Sequence, residues 1–170
     1  MAIGEEIGNA RKRQGLTQEE LSMKLPISRE SISKYEKGGR SVPKDMRKHI
    51  AEGIDDTELY FATWNEAAGV VSIPFFNGEH IDQHPASMKH LVQFETNEAL
   101  EQLERLSWVK PIHTRTDREK EEVKQAIVEV LDAAASMINL VAVLCREHKF
   151  SMKQIFKAWR SSLKVRRYSK

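Results

Sequence analysis

One cysteine, Cys145, in 170 residues excludes an intramolecular disulfide framework. It sits in an apolar helical run, where a buried free thiol is ordinary packing rather than a redox sensor. No basic-then-apolar leader opens the chain, because MAIGEEIGNARKRQG reads as an amphipathic helix. Uninterrupted apolar runs are short: Leu140–Cys145 falls far below the roughly 20 residues of a membrane span. A Gly-rich phosphate cradle, a nucleophile–base arrangement and a strong metal-ligand spacing are all missing. The chain is therefore expected to be a cytoplasmic, soluble non-enzyme, with no catalytic residue, cofactor, metal or membrane partner.

Acidic residues are absent from the last stretch, and that points to the real charge pattern. Residues 1–54 carry 11 Lys and Arg against 8 Asp and Glu, residues 55–147 carry 8 against 17, and residues 148–170 carry 8 against none. The net charge of +2 hides an acidic middle and a basic end, and it is this asymmetry that bears on partners. Lys149, Lys153, Lys157, Arg160, Lys164, Arg166, Arg167 and Lys170 either balance the acidic block within the protein or add phosphate contacts beside a bound duplex.

The most informative stretch is Leu16–Gly38, LTQEELSMKLPISRESISKYEKG, read as two short helices joined by a tight turn. Thr17 caps the first, with Glu20 closing a capping box. Leu21 and Leu25 share a face, and Ser22 is small enough for a close helix crossing. Ser28 caps the second helix, and Ile32 and Tyr35 point back at the first. At about 100° per residue this turns Glu30, Lys34 and Lys37 outward, flanked by Arg29 and Ser33. Such a polar, mostly basic face suits the DNA major groove. The plainer reading is a helical hairpin with a surface Glu30–Lys34 pair.

With LTQEEL, ISRESISKYEKG, a preceding helix ending KRQG and a following Pro-led helix, residues 3–68 resemble the helix-turn-helix domain of the lambdoid phage repressors and the XRE regulators. The resemblance implies a bundle of about five helices whose third enters the major groove. It implies that Gln18 meets the backbone or buttresses the third helix, that Arg29, Glu30, Ser33 and Lys34 occupy base-reading positions, and that Ser28, Lys37 and Arg40 occupy phosphate positions. One departure is Pro26, where the family usually places Gly in the turn. Proline cannot take a positive φ and pushes Leu25 out of the helical region, which affects the tilt of the recognition helix.

Around that motif the pattern predicts a first helix Ile3–Gln14 with Ile3, Ile7 and Ala10 inward and Gly15 as its stop. A fourth helix opens at Pro43, with Met46 and Ile50 inward. A fifth is capped by Asp56 and stopped by Gly69. Residues 69–85, with Asn77-Gly78 as a turn signal and Pro74 opposing a central strand, form an ordered connector or short hairpin. Ile73, Phe75 and Phe76 are expected to pack on one of the domains. Ala68-Gly69 matches the self-cleavage dipeptide of SOS-type repressors, but the helical remainder lacks their peptidase domain. Glu79, His80, Asp82, His84 and His90 read as turn and capping groups rather than metal ligands.

From Ala86 the helical period returns: a helix striped by Met88, Leu91, Val92, Ala99, Leu103 and Leu106, a break at Pro111, and a long helix capped by Asp117. Val123, Ile127, Val130, Ala134, Met137, Val141 and Leu144 alternate at spacings of four and three, an a/d seam. Ser151 with Gln154 opens a last helix whose Met152, Ile155, Phe156, Trp159 and Leu163 are expected to face inward. The surplus apolar surface calls for a second copy, with Val130, Met137, Val141 and Leu144 in the dimer seam, or else for a monomeric bundle.

These readings combine into an all-α chain with a five-helix DNA-binding domain over 1–68, a connector over 69–85 and a three-helix oligomerisation domain over 86–170. The expected function is a homodimeric, sequence-specific regulator of phage or mobile-element type, a repressor binding a palindromic operator on double-stranded DNA. The alternative is an interaction protein whose C-terminal helices capture an antirepressor or antitoxin-type partner. An effector or metal sensor near His80–His90 is the third possibility.

Overall fold

A computed structural model describes residues 3–170, apart from the side chain of Ile112. Met1 and Ala2, at the start of the amphipathic stretch 1–15, lie outside the described residues. The fold is all-α. Its helices are α1 (Ile3–Arg13), α2 (Gln18–Lys24), α3 (Arg29–Glu36), α4 (Lys44–Ile54), α5 (Thr57–Ala68), α6 (Pro85–Arg105), α7 (Asp117–Glu147) and α8 (Met152–Val165), with a 3-10 turn at Ile112–Thr114. Among the described residues the connector 69–84 forms no strand and no hairpin.

The chain divides into two compact units. One holds the residues up to Phe75 together with Cys145–Lys170, and the other is Phe76–Leu144. The last helix thus groups with the first five, and not with residues 86–144 as in the division drawn at 68 and 85. Its tether is local and polar: the Lys153 ammonium lies 3.1 Å from Glu52, and its backbone N–H donates to Asp55 at 3.3 Å.

In the first unit the core follows the helical period. Ile7, Ala10, Leu21, Ile32, Tyr35, Ile50, Ile54 and Leu59 are all buried, and Ile3, Leu25, Ile27 and Met46 pack against them. Each large aliphatic removed from water here contributes about 1.5–3 kcal/mol. Phe75 of the connector stacks on Phe61 with ring centroids 5.3 Å apart, which anchors the start of the connector on this unit. Asp56 does two jobs at the head of α5. Its Oδ1 accepts from the Leu59 N–H at 3.0 Å, and its carboxylate takes a two-pronged pair from Arg13 at 2.7 and 3.0 Å.

In the second unit, α6 begins at Pro85 behind a His84 cap and buries Met88 and Ala99. Asp82 accepts from the Ser87 hydroxyl and the His84 N–H, so this polar stretch serves turn and cap. The cap of α7 is Thr116, not Asp117: the Thr116 hydroxyl accepts from the Glu119 N–H, and Glu119 accepts from the Thr116 N–H. The Lys110 ammonium, 2.5 Å away, and these Thr116 bonds hold the Glu119 carboxyl at about 2.

Along α7 the chain buries small or polar side chains, among them Ala126, Ala133, Ser136, Asn139 and Ala142. Ser136 donates to the Ala133 carbonyl, Asn139 to that of Ala135, and the Asn139 Oδ1 accepts from the Phe76 N–H at 2.8 Å. Uninterrupted runs understate the apolar character of this helix, which is long and apolar enough to cross a membrane by length and composition.

Asp56→Ala removes a buried cap and the partner of Arg13 together. It is expected to lower the unfolding free energy by about 2–4 kcal/mol in urea titration, while Asp56→Asn, which keeps the capping oxygen, loses less.

Candidate nucleic-acid interface

The outer surface of α3 is presented because two other helices hold that helix down. Glu36, the last residue of α3, accepts two bonds from the Arg11 guanidinium at 2.6 and 2.8 Å and a third from the Gln18 amide at 2.8 Å. Arg11 spends a further N–H on the Leu16 carbonyl. Side chains of Arg11 and Glu36 are only 11 % and 9 % exposed, so this is a largely desolvated, two-pronged ion pair joining α1, α2 and α3. Burial alone would push the Glu36 carboxyl up. The hydrogen bonds from Arg11 and Gln18 outweigh it and leave the group below the usual carboxylate range.

A steric clamp complements the polar one. A Cβ on Gly4 would sit 2.1 Å from the Tyr35 carbonyl oxygen, so only glycine lets the start of α1 close on the end of α3.

Pro26 reshapes the turn as its chemistry requires. Leu25 lies in the extended region at φ −130°, ψ 150°, and the Ile27 N–H donates back to the Leu25 carbonyl at 2.8 Å. The Leu25–Ile27 turn closes around proline without a left-handed residue. Thr17 and Glu20 form the reciprocal capping box, and Ser28 accepts from the Ser31 N–H at the head of α3.

With Ile32 and Tyr35 buried, Arg29, Glu30, Lys34 and Lys37 are exposed, while Ser33 and Gln18 are half-buried. Arg29 lies 3.8 Å from Glu19, an exposed pair that leaves its guanidinium free to rearrange. The Glu30 carboxyl is held below its usual range by its own backbone N–H and by the Ser28 hydroxyl. Arg40 sits over the Tyr35 ring, 5.8 Å from its centroid, and its N–H donates to the Lys34 carbonyl. Ser28, Arg29, Glu30, Ser33, Lys34, Lys37 and Arg40 thus come from one short segment, capped by Ser28 at its start and clamped through Tyr35 and Glu36 at the end of α3.

Sequence reasoning missed Arg11 and Glu36. Both follow an apolar anchor by one helical turn, Arg11 after Ile7 and Glu36 after Ile32, which puts charge of opposite sign on two core-facing stripes. That coincidence was the available signal.

The proposed seam residues lie in the second unit. Ile127, Val130, Met137 and Leu144 are exposed, and Val123, Ala134 and Val141 are half-buried. The last helix departs from expectation as well. Met152 is buried and Phe156 and Leu163 are half-buried, but Ile155 and Trp159 are open to solvent. Among the described residues one acidic trio, Glu95, Glu129 and Asp132, brings carboxylate oxygens within 4.8 Å of one another. Burial, followed by repulsion from Asp132, Glu98 and Glu129, raises the Glu95 carboxyl above its usual range.

Residues 7–52 match the family model described as helix-turn-helix, about a quarter of the chain. This segment is a helix-turn-helix of the XRE type, and the first unit carries the DNA-binding module of a transcriptional regulator. Searches of curated proteins and of solved structures give no match.

The Glu36 clamp makes stability depend on acid. Its folded-state pKa lies below the unfolded value, so its contribution is complete above about pH 4.3 and is lost as pH falls through the folded value. Glu36→Ala is expected to cost about 2–4 kcal/mol at pH 7, with the gap to wild type closing below about pH 4 in thermal melts. An unchanged gap across that range would show that the loss comes from packing and not from charge.

Proposed function

We propose that this protein is a homodimeric transcriptional repressor of phage or mobile-element type that binds a palindromic operator and occludes a promoter. One observation carries the DNA reading: the polar outer face of α3 is exposed, while its inner face is locked by the Glu36 clamp and buried Ile32 and Tyr35. A rigid helix offering Arg29, Glu30, Ser33 and Lys34 side by side suits base-edge readout. Gln18, whose amide is already committed to Glu36, buttresses that helix. Ser28 at the helix head, with Lys37 and Arg40 at its far end, suits phosphates on either side.

The dimer reading rests on how little the second unit encloses. Among the described residues its large buried hydrophobics are Met88 and Val143, and the rest of that buried set is mostly alanine. Val130, Met137 and Leu144 share a side of α7 and keep 40 %, 42 % and 38 % of their surface exposed, with Val141 half-buried beside them. A second copy covering these side chains would complete the burial that the small alanines among them leave unfinished. Two recognition helices related by a two-fold axis then read two half-sites. Burial of the seam in a dimer also fits a soluble, cytoplasmic protein, as does the interruption of the apolar stretch by Glu129, Asp132, Ser136 and Asn139.

DNA selection from a random library with the purified protein tests the operator. Arg29→Ala and Lys34→Ala should each weaken the selected site by about 1–3 kcal/mol and relax preference at one position. Arg40→Ala should weaken all sequences alike. Unchanged preference in both base-contact variants would refute the assignment of α3.

Met137→Lys puts an unpaired charge in the seam and is expected to give monomers that retain helical circular dichroism and lose most operator affinity. A wild-type chain that sediments as a monomer at micromolar concentration would instead favour capture of a different partner by the same seam.

A further inference from the structure

Helix α8 has the composition of a docking helix with nothing docked on it. Only Met152 is buried along its length, while Ile155 is 42 % and Trp159 49 % exposed and Phe156 and Leu163 are half-buried. At 100° per residue these side chains form one stripe. Lys157, Arg160 and Lys164, at spacings of three and four, form a basic stripe beside it. The helix contains no acid, and its one ion pair among the described residues is that of Lys153 with Glu52.

A surface of the opposite kind lies on α6. Phe94 is 57 % and Leu100 52 % exposed. Glu98 follows Phe94 by one turn, Glu104 follows Leu100 by one turn, and Glu101 lies between. Among the described residues Glu98 and Glu104 take part in no ion pair, and Glu101 has only an exposed i,i+4 contact with Arg105. The two charge rows have matching lengths: Lys157 to Lys164 spans about 10 Å and Glu98 to Glu104 about 9 Å at 1.5 Å per residue.

We propose that the apolar and basic side of α8 docks on the apolar and acidic side of α6 in a second copy, so that two copies exchange their last helices. The proposal rests on the homodimer reading and adds a second contact to the α7 seam. A second copy is favoured because it satisfies four uncovered surfaces at once. Duplex DNA would neutralise the lysines and arginine but leave Ile155 and Trp159 in water. An anionic membrane would take the whole of α8 but leave Phe94 and Leu100 exposed and the glutamates unpaired. Two-fold symmetry makes the α8–α6 contact twice for each dimer.

The test is a reciprocal charge swap in the full-length chain, read by sedimentation equilibrium. One variant carries Lys157→Glu, Arg160→Glu and Lys164→Glu; the other carries Glu98→Lys, Glu101→Lys and Glu104→Lys. All six positions are on helix surfaces, and circular dichroism checks that both variants fold. Each alone should dimerise at least tenfold more weakly than wild type, because both of its contacts bring like charges together. Mixed, the two should form a heterodimer of near wild-type affinity, since both exchanged contacts then pair opposite charges.

Wild-type dimerisation of either variant alone, or no recovery on mixing, overturns the proposal. Recovery only when all six changes are placed in one chain, without heterodimer in the mixture, would mean that α8 docks within its own chain, and this too overturns it. The α8 variant is also assayed on phosphatidylglycerol vesicles and on duplex DNA across a salt series. Loss of vesicle binding, or a flatter salt slope, with dimerisation intact would assign the basic stripe to a membrane or to DNA and end the proposal. A wild-type chain that is itself monomeric removes the homodimer reading and this one together, whereas a wild-type dimer whose swapped variants behave as wild type removes this one alone.

Discussion

Everything on the outer surface of α3 depends on one carboxylate. Glu36 draws Arg11 of α1 and Gln18 of α2 onto the end of the helix, and the near-complete burial of the pair makes its geometry rigid. An exposed pair would wander among rotamers and contribute little, whereas a desolvated two-pronged pair punishes any displacement of its partners. The apolar contacts of Ile32 and Tyr35 bring α3 to the core, but such contacts are non-directional and tolerate sliding. The Arg11–Glu36–Gln18 cluster, with the Gly4–Tyr35 approach, removes that freedom. A recognition surface needs its side chains within a fraction of an ångström, which such a constraint supplies.

The two units solve the burial problem in opposite ways. In the first, five helices converge and the large aliphatics go inside. In the second, α7 buries alanines, Ser136 and Asn139. Buried polar groups of this kind are tolerated because each has a partner; Asn139 spans its own helix and the Phe76 backbone. The result is a helix on which Ile127, Val130, Met137 and Leu144 remain partly exposed. The helix-turn-helix segment thus sits in a unit with its own apolar core, while the second unit, among the described residues, buries mostly small side chains.

Much of the first unit was legible because its signals are local. The Thr17–Glu20 capping box, the Ser28 and Asp56 caps, the Gly15 and Gly69 stops and the effect of Pro26 on Leu25 each involve residues within a few positions of one another. The helical period also sorted Ile7, Leu21, Ile32, Tyr35 and Ile50 to the inside. The cap of α7 was misplaced by one residue, since Thr116 and Asp117 are both good capping types and only the bond to the Glu119 N–H separates them. Nothing local distinguished a buried apolar stripe on α8 from an exposed one, and Ile155 and Trp159 were placed inside on periodicity alone.

What the sequence by itself determined is the set of helices, their caps and stops, the inward stripe of the first unit and the outward chemistry of α3. These follow from backbone sterics, side-chain-to-backbone hydrogen bonds and a fixed angular step per residue, all of which act over a turn or two of helix. The tertiary structure alone decided which charges are buried together, which side chains of α7 the chain covers, and that the last helix groups with the first unit. Those outcomes depend on pairs far apart in the chain, Arg11 with Glu36 and Lys153 with Glu52, whose meeting no local rule specifies. A helical stripe states only that a side chain would gain by leaving water; what covers it depends on which surfaces the rest of the chain brings within reach.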